Sequence, residues 1–382
     1  MDRRKVMIVA GEASGDLHGS CLARELNGLR PDWEIVGAGG EKMRAAGVRT
    51  LVNSDEIAVV GIVEVLAHFP AIRRAFNTLV DALRASPPDI LVLIDYPDFN
   101  LRLAKKAHQL GIPIIYYISP QVWAWRAGRV KTIARLVRRI LVLFPFEEDI
   151  YRKAGVDCRF VGHPLLDEVL PPVEKDEALT TLGLADTPMT VALLPGSRKR
   201  EVETLFPAML GAAKILARNR PDIRFLVPVA STIDMAYLES VAADSGLPIM
   251  LVREQVNEVL AVADAAVVAS GTATLQTALM GRAMVIVYAV APLTYFLGKL
   301  LIKLDCIGLA NLVAGRKIAP ELIQDEVTPE RIAEEMDAIL SDPVKRAEME
   351  RELASCREKL GGRGAARRAA ENVVEFAEGI PK

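Results

Sequence analysis

Short apolar or β-branched runs alternate with helical periods through the first 165 residues, and the same alternation restarts after residue 189. The first set is Lys5–Ala10, Trp33–Val36, Asp89–Ile94, Ile112–Ile118, Arg139–Phe144 and Arg159–Gly162. Parallel strands need a crossover helix at each connection and are buried on both faces, so near-continuous apolar runs separated by helices predict a parallel sheet. Between the first two runs, Asp16 to Leu29 places Leu17, Cys21 or Leu22, Leu26 and Leu29 on one helical face. The second set, Val191–Leu194, Arg224–Val229, Ile249–Val252, Ala265–Ala269 and Met284–Val290, predicts a second parallel sheet. Residues 171–188 between them, PPVEKDEALTTLGLADTP, have the texture of a linker with a short helix. A chain of 382 residues fits two such domains. From Pro329 the tail is expected to be helical and amphipathic, with breaks at Asp342-Pro343 and Gly361-Gly362.

Composition closes off several functions. The 47 Lys and Arg balance 49 Asp and Glu, a net charge of -2, so no nucleic-acid partner is expected. The four cysteines form no CxxC pair, which argues against a zinc knuckle or a disulfide framework and for a reducing cytoplasm. The N-terminal apolar run is too short for a signal peptide, and no run approaches the ~18 to 20 residues of a membrane span. A soluble or at most peripheral protein is the expectation.

Two turns carry chemistry. VALLPGSR (Val191 to Arg198) is a strand that breaks into Pro-Gly-Ser-Arg and opens a helix; AAVVASGTATLQ (Ala265 to Gln276) repeats the design with Ser-Gly-Thr. Backbone N–H groups at a helix N-terminus favour a phosphate, and Arg198 adds a planar fork for its oxygens. The competing reading is that such residues only cap helices. The first turn, GEASGD, lacks the G-x-G-x-x-G spacing of a dinucleotide site, and no P-loop is present. His18, His68, His108 and His163 fall at no metal-ligand spacing, and Asp95-Tyr-Pro-Asp98 is not an Asp-x-Asp pair. Neither a metal nor an organic cofactor is expected.

The segment IDYPDFNLRLAKKAHQLGIPIIYYISPQVWAWRAGR (Ile94 to Arg129) sharpens the reading. With AGEASGDLHG, GAGGEKM, VVGIVEVL, VGHPLLD, LLPGSRKREV and SGTATLQ, in order along essentially the whole chain, it resembles the lipid-A-disaccharide synthase family. The resemblance implies a GT-B glycosyltransferase: two Rossmann-like, doubly wound parallel-sheet domains facing a cleft, with a C-terminal helix returning to the first. The domains expected are 1–170 for the acceptor and membrane, joined by 345–382, then the linker 171–188 and a UDP-sugar domain 189–344. The implied reaction is inverting transfer of 2,3-diacylglucosamine from its UDP derivative to 2,3-diacylglucosamine 1-phosphate, giving a β-1,6 disaccharide and UDP. It places the enzyme on the inner face of a Gram-negative inner membrane, with a homodimer as one state.

Such a transfer needs a base, a clamp on the leaving diphosphate and a dry slot for the sugar. Asp98 is the expected base, its alternative being a cap for a helix from Phe99; Glu12 and Asp16 are second choices. Asp95 reads as a structural acceptor. Gly196, Ser197 and Arg198, with Ser270, Gly271 and Thr272, are expected to hold UDP. Gln276 stands where the family usually has Glu to accept both ribose hydroxyls, and an amide offers one acceptor only. Ser14, His18, Asn311, Arg126 and Arg129 are assigned to acceptor or sugar contacts; GLANLVAGR, around Asn311, has Ala310 where the family usually has Pro.

Ile57 to Phe76 is strongly apolar and ends in Arg73-Arg74, and a basic run continues through Arg126, Arg129, Lys131, Arg135, Arg138 and Arg139. This pattern fits an anionic membrane surface, with Tyr295 to Leu304 as a second contact; the alternative is a core helix beside a solvated face. Trp123 and Trp125 stack on sugar or fill the core. Two rival functions stay open: a UDP-N-acetylglucosamine 2-epimerase-like enzyme, and a non-catalytic UDP-sugar or membrane scaffold.

Overall fold

The computed structural model describes residues 4–57, 62–120, 128–169, 172–185, 189–290 and 306–379, with residues 55 and 62–68 through their backbone alone. The chain divides into two compact units, 1–164 with 361–382, and 165–360.

The first unit runs β1 (Lys5–Ala10), α1 (Ala13–Leu29), β2 (Glu34–Gly39), α2 (Glu41–Ala45), β3 (Arg49–Asn53), α3 (Ile62–Ala85), β4 (Ile90–Ile94), α4 (Pro97–Gln109), β5 (Ile114–Tyr117), α5 (Gly128–Leu136), β6 (Arg139–Val142), α6 (Pro145–Lys153) and β7 (Asp157–Phe160). Its seven strands lie parallel in the order β3-β2-β1-β4-β5-β6-β7. The ILVLI run of β4 is wholly buried, as two-sided coverage requires. α1 buries Leu22 and Leu26 of the expected face and shifts the rest of it. Gly15, Gly19, Leu22, Ala23 and Leu26 are buried, whereas Leu17, Cys21 and Leu29 are half-buried, because small residues let the helix lie close to the sheet. β3, a short edge strand opening on Arg49, had no run long enough to be read from sequence.

The second unit continues with α7 (Leu165–Val169), α8 (Lys175–Leu182), β8 (Thr190–Leu194), α9 (Lys199–Asn219), β9 (Arg224–Val229), α10 (Met235–Ala243), β10 (Ile249–Arg253), α11 (Val256–Val262), β11 (Ala265–Ala269), α12 (Thr272–Leu279), β12 (Ala283–Tyr288), α13 (Leu309–Ala314), β13 (Glu321–Ile323), α14 (Pro329–Leu340), α15 (Pro343–Ala354) and α16 (Cys356–Lys359). Six parallel strands follow the order β10-β9-β8-β11-β12-β13. Two expected boundaries move. The stretch taken as linker buries Ala178, Leu179 and Leu182 of α8, which packs on α11 within this unit. Residues 345–360 also stay here, since α15 and α16 bury Met349, Leu353 and Cys356 and pack on α12 and α13. The return to the first unit begins at Gly361 rather than at residue 345.

Past Gly361, α17 (Ala365–Glu378) packs against α1. Its apolar stripe, Ala369, Ala370, Val373 and Ala377, is fully buried. Arg139 fastens the same helix. Its side chain, 7% exposed, binds Asp157 Oδ2 at 2.7 Å, Glu375 Oε1 at 3.1 Å and the Asn372 carbonyl at 3.2 Å, and lies 5.3 Å from the centre of the Phe376 ring. Arg139 therefore leaves the basic surface to which its sequence neighbours assigned it; Lys131, Arg135 and Arg138 remain exposed. Because Asp157 and Glu375 keep access to water, removing Arg139 costs the charged hydrogen bonds rather than stranding a buried acid. Arg139→Ala is expected to lose about 2 kcal/mol, read as an earlier urea midpoint; an unchanged midpoint would show that the guanidinium does not secure the returning helix.

Candidate functional site

In each sheet the chain first builds outward to one side and then crosses to the other, so two adjacent strands send their connections in opposite directions. Ligands of open parallel sheets bind beyond the carboxyl ends of such a pair. In the first unit the pair is β1 and β4, with Ala10 opposite Ile94. In the second it is β8 and β11, with Leu194 opposite Val268.

At the first reversal the GEASGD turn meets the DYPD turn. The ring of Tyr96 lies on Gly11 so closely that a β-carbon there would stand 2.7 Å from the ring's Cγ. Only glycine admits that approach, and it brings Glu12 beside Asp95. The polypeptide around Asp95 is strained: Asp95 and Tyr96 have φ of 44° and 45°, and Ile118, at the end of the neighbouring strand, has φ of 63°. Hydrogen bonds hold the elbow. The Asp95 carbonyl accepts from Asn100 Nδ2 at 2.8 Å and Tyr116 OH at 2.6 Å, and Tyr96 OH donates to the Ile57 carbonyl at 2.6 Å. Burial, reinforced by the Glu12 carboxylate, pushes the Asp95 carboxyl up to about 6. The Asp95 carboxyl also accepts a backbone amide, that of Tyr96, in keeping with the structural acceptor expected.

Asp98 is exposed in the first turn of α4 and ion-paired with Arg129. The cap position belongs to Tyr96, with Pro97 opening the helix, so Asp98 is not the cap of a helix from Phe99. Asp16 departs from its expected catalytic place. Its buried carboxylate accepts from the amides of Gly40 at 2.6 Å, Lys42 at 3.0 Å and Met43 at 3.1 Å, closing the N-terminus of α2. Ser14 is exposed in the first turn of α1. His18 is mostly buried and held down to about 4 by that burial, and His163 is held to a similar value by its own burial and by His18. Both imidazoles are neutral near pH 7; His163 lies 5.2 Å, centre to centre, from the Phe144 ring. Arg126, Trp123 and Trp125 lie outside the described residues, as does Tyr295 to Leu304.

The second reversal sets the two Gly-containing turns side by side. Gly196 is half-buried, Ser197 and Arg198 are exposed, and Arg198 is the N-cap of α9. Gly271 is the N-cap of α12, and Thr274 Oγ1 donates to the Gly271 carbonyl at 2.8 Å. The Ser270 amide extends the ladder to the Val287 carbonyl at 2.9 Å. Gln276 directs its Nε2 to Asn257 Oδ1 at 2.8 Å, which leaves its carbonyl oxygen as the acceptor. Glu201 folds over the first turn, and burial raises its carboxyl above the usual range.

Asn311 does not serve a ligand. It is fully buried, its Nδ2 donating to the Ala319 carbonyl and Glu321 Oε1 at 2.9 Å each, while its Oδ1 accepts from Ile318 and Ala319 amides at 2.8 and 2.9 Å. These bonds use its whole hydrogen-bonding capacity. Its partner Glu321 also accepts the Gly308 amide at 2.9 Å, so the pair fixes the approach to α13. Glu321 carried no sequence signal, and Glu201, though inside the LLPGSRKREV block, was given no role of its own.

Comparison with known proteins accords with this arrangement. Residues 6–375 match the family described as LpxB, Lipid-A-disaccharide synthetase. A lipid-A-disaccharide synthase of Geobacter metallireducens is 53% identical over 373 residues, covering 98% of this chain and 97% of that protein. Among solved structures, a putative UDP-N-acetylglucosamine 2-epimerase from Listeria monocytogenes superposes with a TM-score of 0.69 at 14% identity, covering 100% of this chain and 98% of the other. The calicheamicin glycosyltransferase CalG4 does so with a TM-score of 0.62 at 16% identity over 100% of both chains. At such identities the likeness is one of fold alone, and it gives the epimerase reading no further support. Two parallel α/β units of the GT-B type, carrying a family match over nearly the whole length, identify a glycosyltransferase: the chain belongs to the lipid-A-disaccharide synthase family.

Proposed function

We propose that the enzyme transfers 2,3-diacylglucosamine from UDP-2,3-diacylglucosamine to 2,3-diacylglucosamine 1-phosphate with inversion, forming a β-1,6 linked disaccharide phosphate and UDP. The observation that carries this reading is the pairing of two anion-ready turns at the strand-order reversal of the second unit, in a chain of this family. The amides of residues 196–198 and 271–272, with the Arg198 guanidinium, take the donor diphosphate. Asp98, its rotamer held by Arg129, takes the proton of the acceptor's 6-hydroxyl. The hydroxyl oxygen bonds to the donor's C1 as the C1–O bond to the diphosphate breaks, and the electron pair leaves on UDP, where Arg198 and the amides meet the charge. Glu12 and the neutral His18 border the acceptor end. Asp16 and Asn311 act through the backbone they hold.

A peripheral place on an anionic membrane surface, at the inner face of the inner membrane, is part of the same proposal. No helix among the described residues is long and apolar enough to cross a membrane. Phe69, half-exposed on α3, adjoins the exposed Arg73 and Arg74, and Lys131 and Arg135 are exposed on α5. An apolar residue rimmed by cations suits acyl chains and anionic headgroups. Co-sedimentation with phosphatidylglycerol vesicles, lost in about 0.5 M salt where the Debye length is about 4 Å, is the expected behaviour; equal recovery with neutral vesicles would count against it.

Direct tests use a mass-spectrometric transfer assay in mixed micelles. Asp98→Asn should fall by roughly 10²- to 10⁴-fold in kcat while still binding UDP. Arg198→Ala should lose about 3 to 4 kcal/mol of transition-state stabilisation. Full activity in the first variant would move the base to Glu12. A separate prediction concerns Asp95. With its folded value raised to about 6 above an ordinary carboxyl, its contribution to stability is present at low pH and lost as pH rises through that value. The melting temperature of Asp95→Asn should therefore gain on wild type between pH 5 and 8; a constant difference would mean that Asp95 does not titrate there.

A further inference from the structure

The diphosphate turn of the second unit already holds an anion, supplied by the chain itself. Glu201, in the first turn of α9, folds its carboxylate back so that Oε2 accepts the Ser197 amide at 3.3 Å. The same carboxylate rests on Gly196, where a β-carbon would stand 2.5 Å from Glu201 Cδ. Gly196 has φ of 111°, so the left-handed backbone and the carboxylate above it both demand glycine. A glutamate at the third helical position ordinarily closes on the amide of the cap residue. Here the cap is Arg198, and the carboxylate engages its amide and reaches on to that of the residue before. Arg198 and Tyr288, the last residue of β12, border the group. Thr232 Oγ1 donates to the Ser197 carbonyl at 2.6 Å, which keeps the turn beneath the carboxylate.

We propose that Glu201 is an internal competitor for the diphosphate turn, occupying its amides in the empty protein and yielding them when a nucleoside diphosphate arrives. The inference rests on turn 195–198 being the diphosphate site. A phosphate and a carboxylate cannot share these donors without strong like-charge repulsion. The turn therefore accepts its ligand only in the fraction of molecules whose Glu201 has swung out, and the apparent affinity falls by that fraction. Two benefits follow. The glycine turn stays formed when empty, and the product UDP is returned to solution by an anion already tethered beside its site.

The test is calorimetric titration of UDP at pH 8 into wild type, Glu201→Gln, Glu201→Asp and Arg198→Ala, with melting curves of each empty protein. Glutamine keeps the shape without the charge, and aspartate carries a carboxylate one methylene short of Ser197. Both are expected to bind UDP about tenfold tighter than wild type, with melting temperatures equal to or below it. Equal or weaker binding by whichever of the two folds, with Arg198→Ala losing affinity, would overturn the competitor and leave the diphosphate site standing. Undiminished UDP binding by Arg198→Ala would remove the site itself, and with it the competitor.

Discussion

The placement of every candidate site residue at a sheet end depends on a reversal of strand order that occurs once in each sheet. A parallel strand can be followed only by a right-handed crossover. A chain that fills one side of its first strand and then the other must send two adjacent connections apart, and the gap between them is not covered by helix. β1 and β4 make that gap in the first unit, β8 and β11 in the second. The candidate site residues stand at these two places: Glu12, Asp95 and Asp98 at one, Ser197, Arg198 and Ser270 to Thr272 at the other. Burial of the apolar strands fixes the register, and the register fixes which turns are neighbours.

The two gaps are furnished differently. At the second gap positive φ falls on glycine, Gly196, and the turns offer amides, so an anion is welcome without distortion. In the first, Asp95, Tyr96 and Ile118 sit at positive φ, at about 1 to 3 kcal/mol each. Tyr116, Asn100 and the Tyr96 hydroxyl return roughly 1 kcal/mol per hydrogen bond, and the Gly11–Tyr96 contact adds packing. That strain is tolerated where two carboxyl groups must be held together, half-buried, against their mutual repulsion.

The sheets were largely legible in the sequence because a strand buried on both faces, such as ILVLI or VALL, leaves no other reading. The turn positions were legible too: PGSR and SGT each stand between a strand and a helix, on the adjacent strands β8 and β11. What escaped has one physical cause. Asp16 caps a helix 24 residues away, Arg139 reaches 236 residues to Glu375, and Asn311 is saturated by residues 318 to 321. A polar side chain bonded to distant backbone has no periodicity, so Asp16 and Asn311 looked like ligand residues and Arg139 like a surface cation. The inner face of α1 was partly misjudged for a related reason, since glycine and alanine at a close helix–sheet contact carry little hydrophobic signal.

The same argument bears on Glu201. In the sequence it is one acid in the KREVE run that opens a helix, where acids are common for the sake of the dipole. Its carboxylate acquires meaning only through Gly196, whose missing β-carbon lets it lie on the turn, and through Ser197, whose amide it takes. An anion site built from backbone donors cannot be switched off by removing a charge, because the donors belong to the fold. The remaining way to moderate it is to place a competing charge within reach, close enough to fill the turn when empty and on a tether long enough to leave. The first turn of α9 offers such a position three residues beyond its cap.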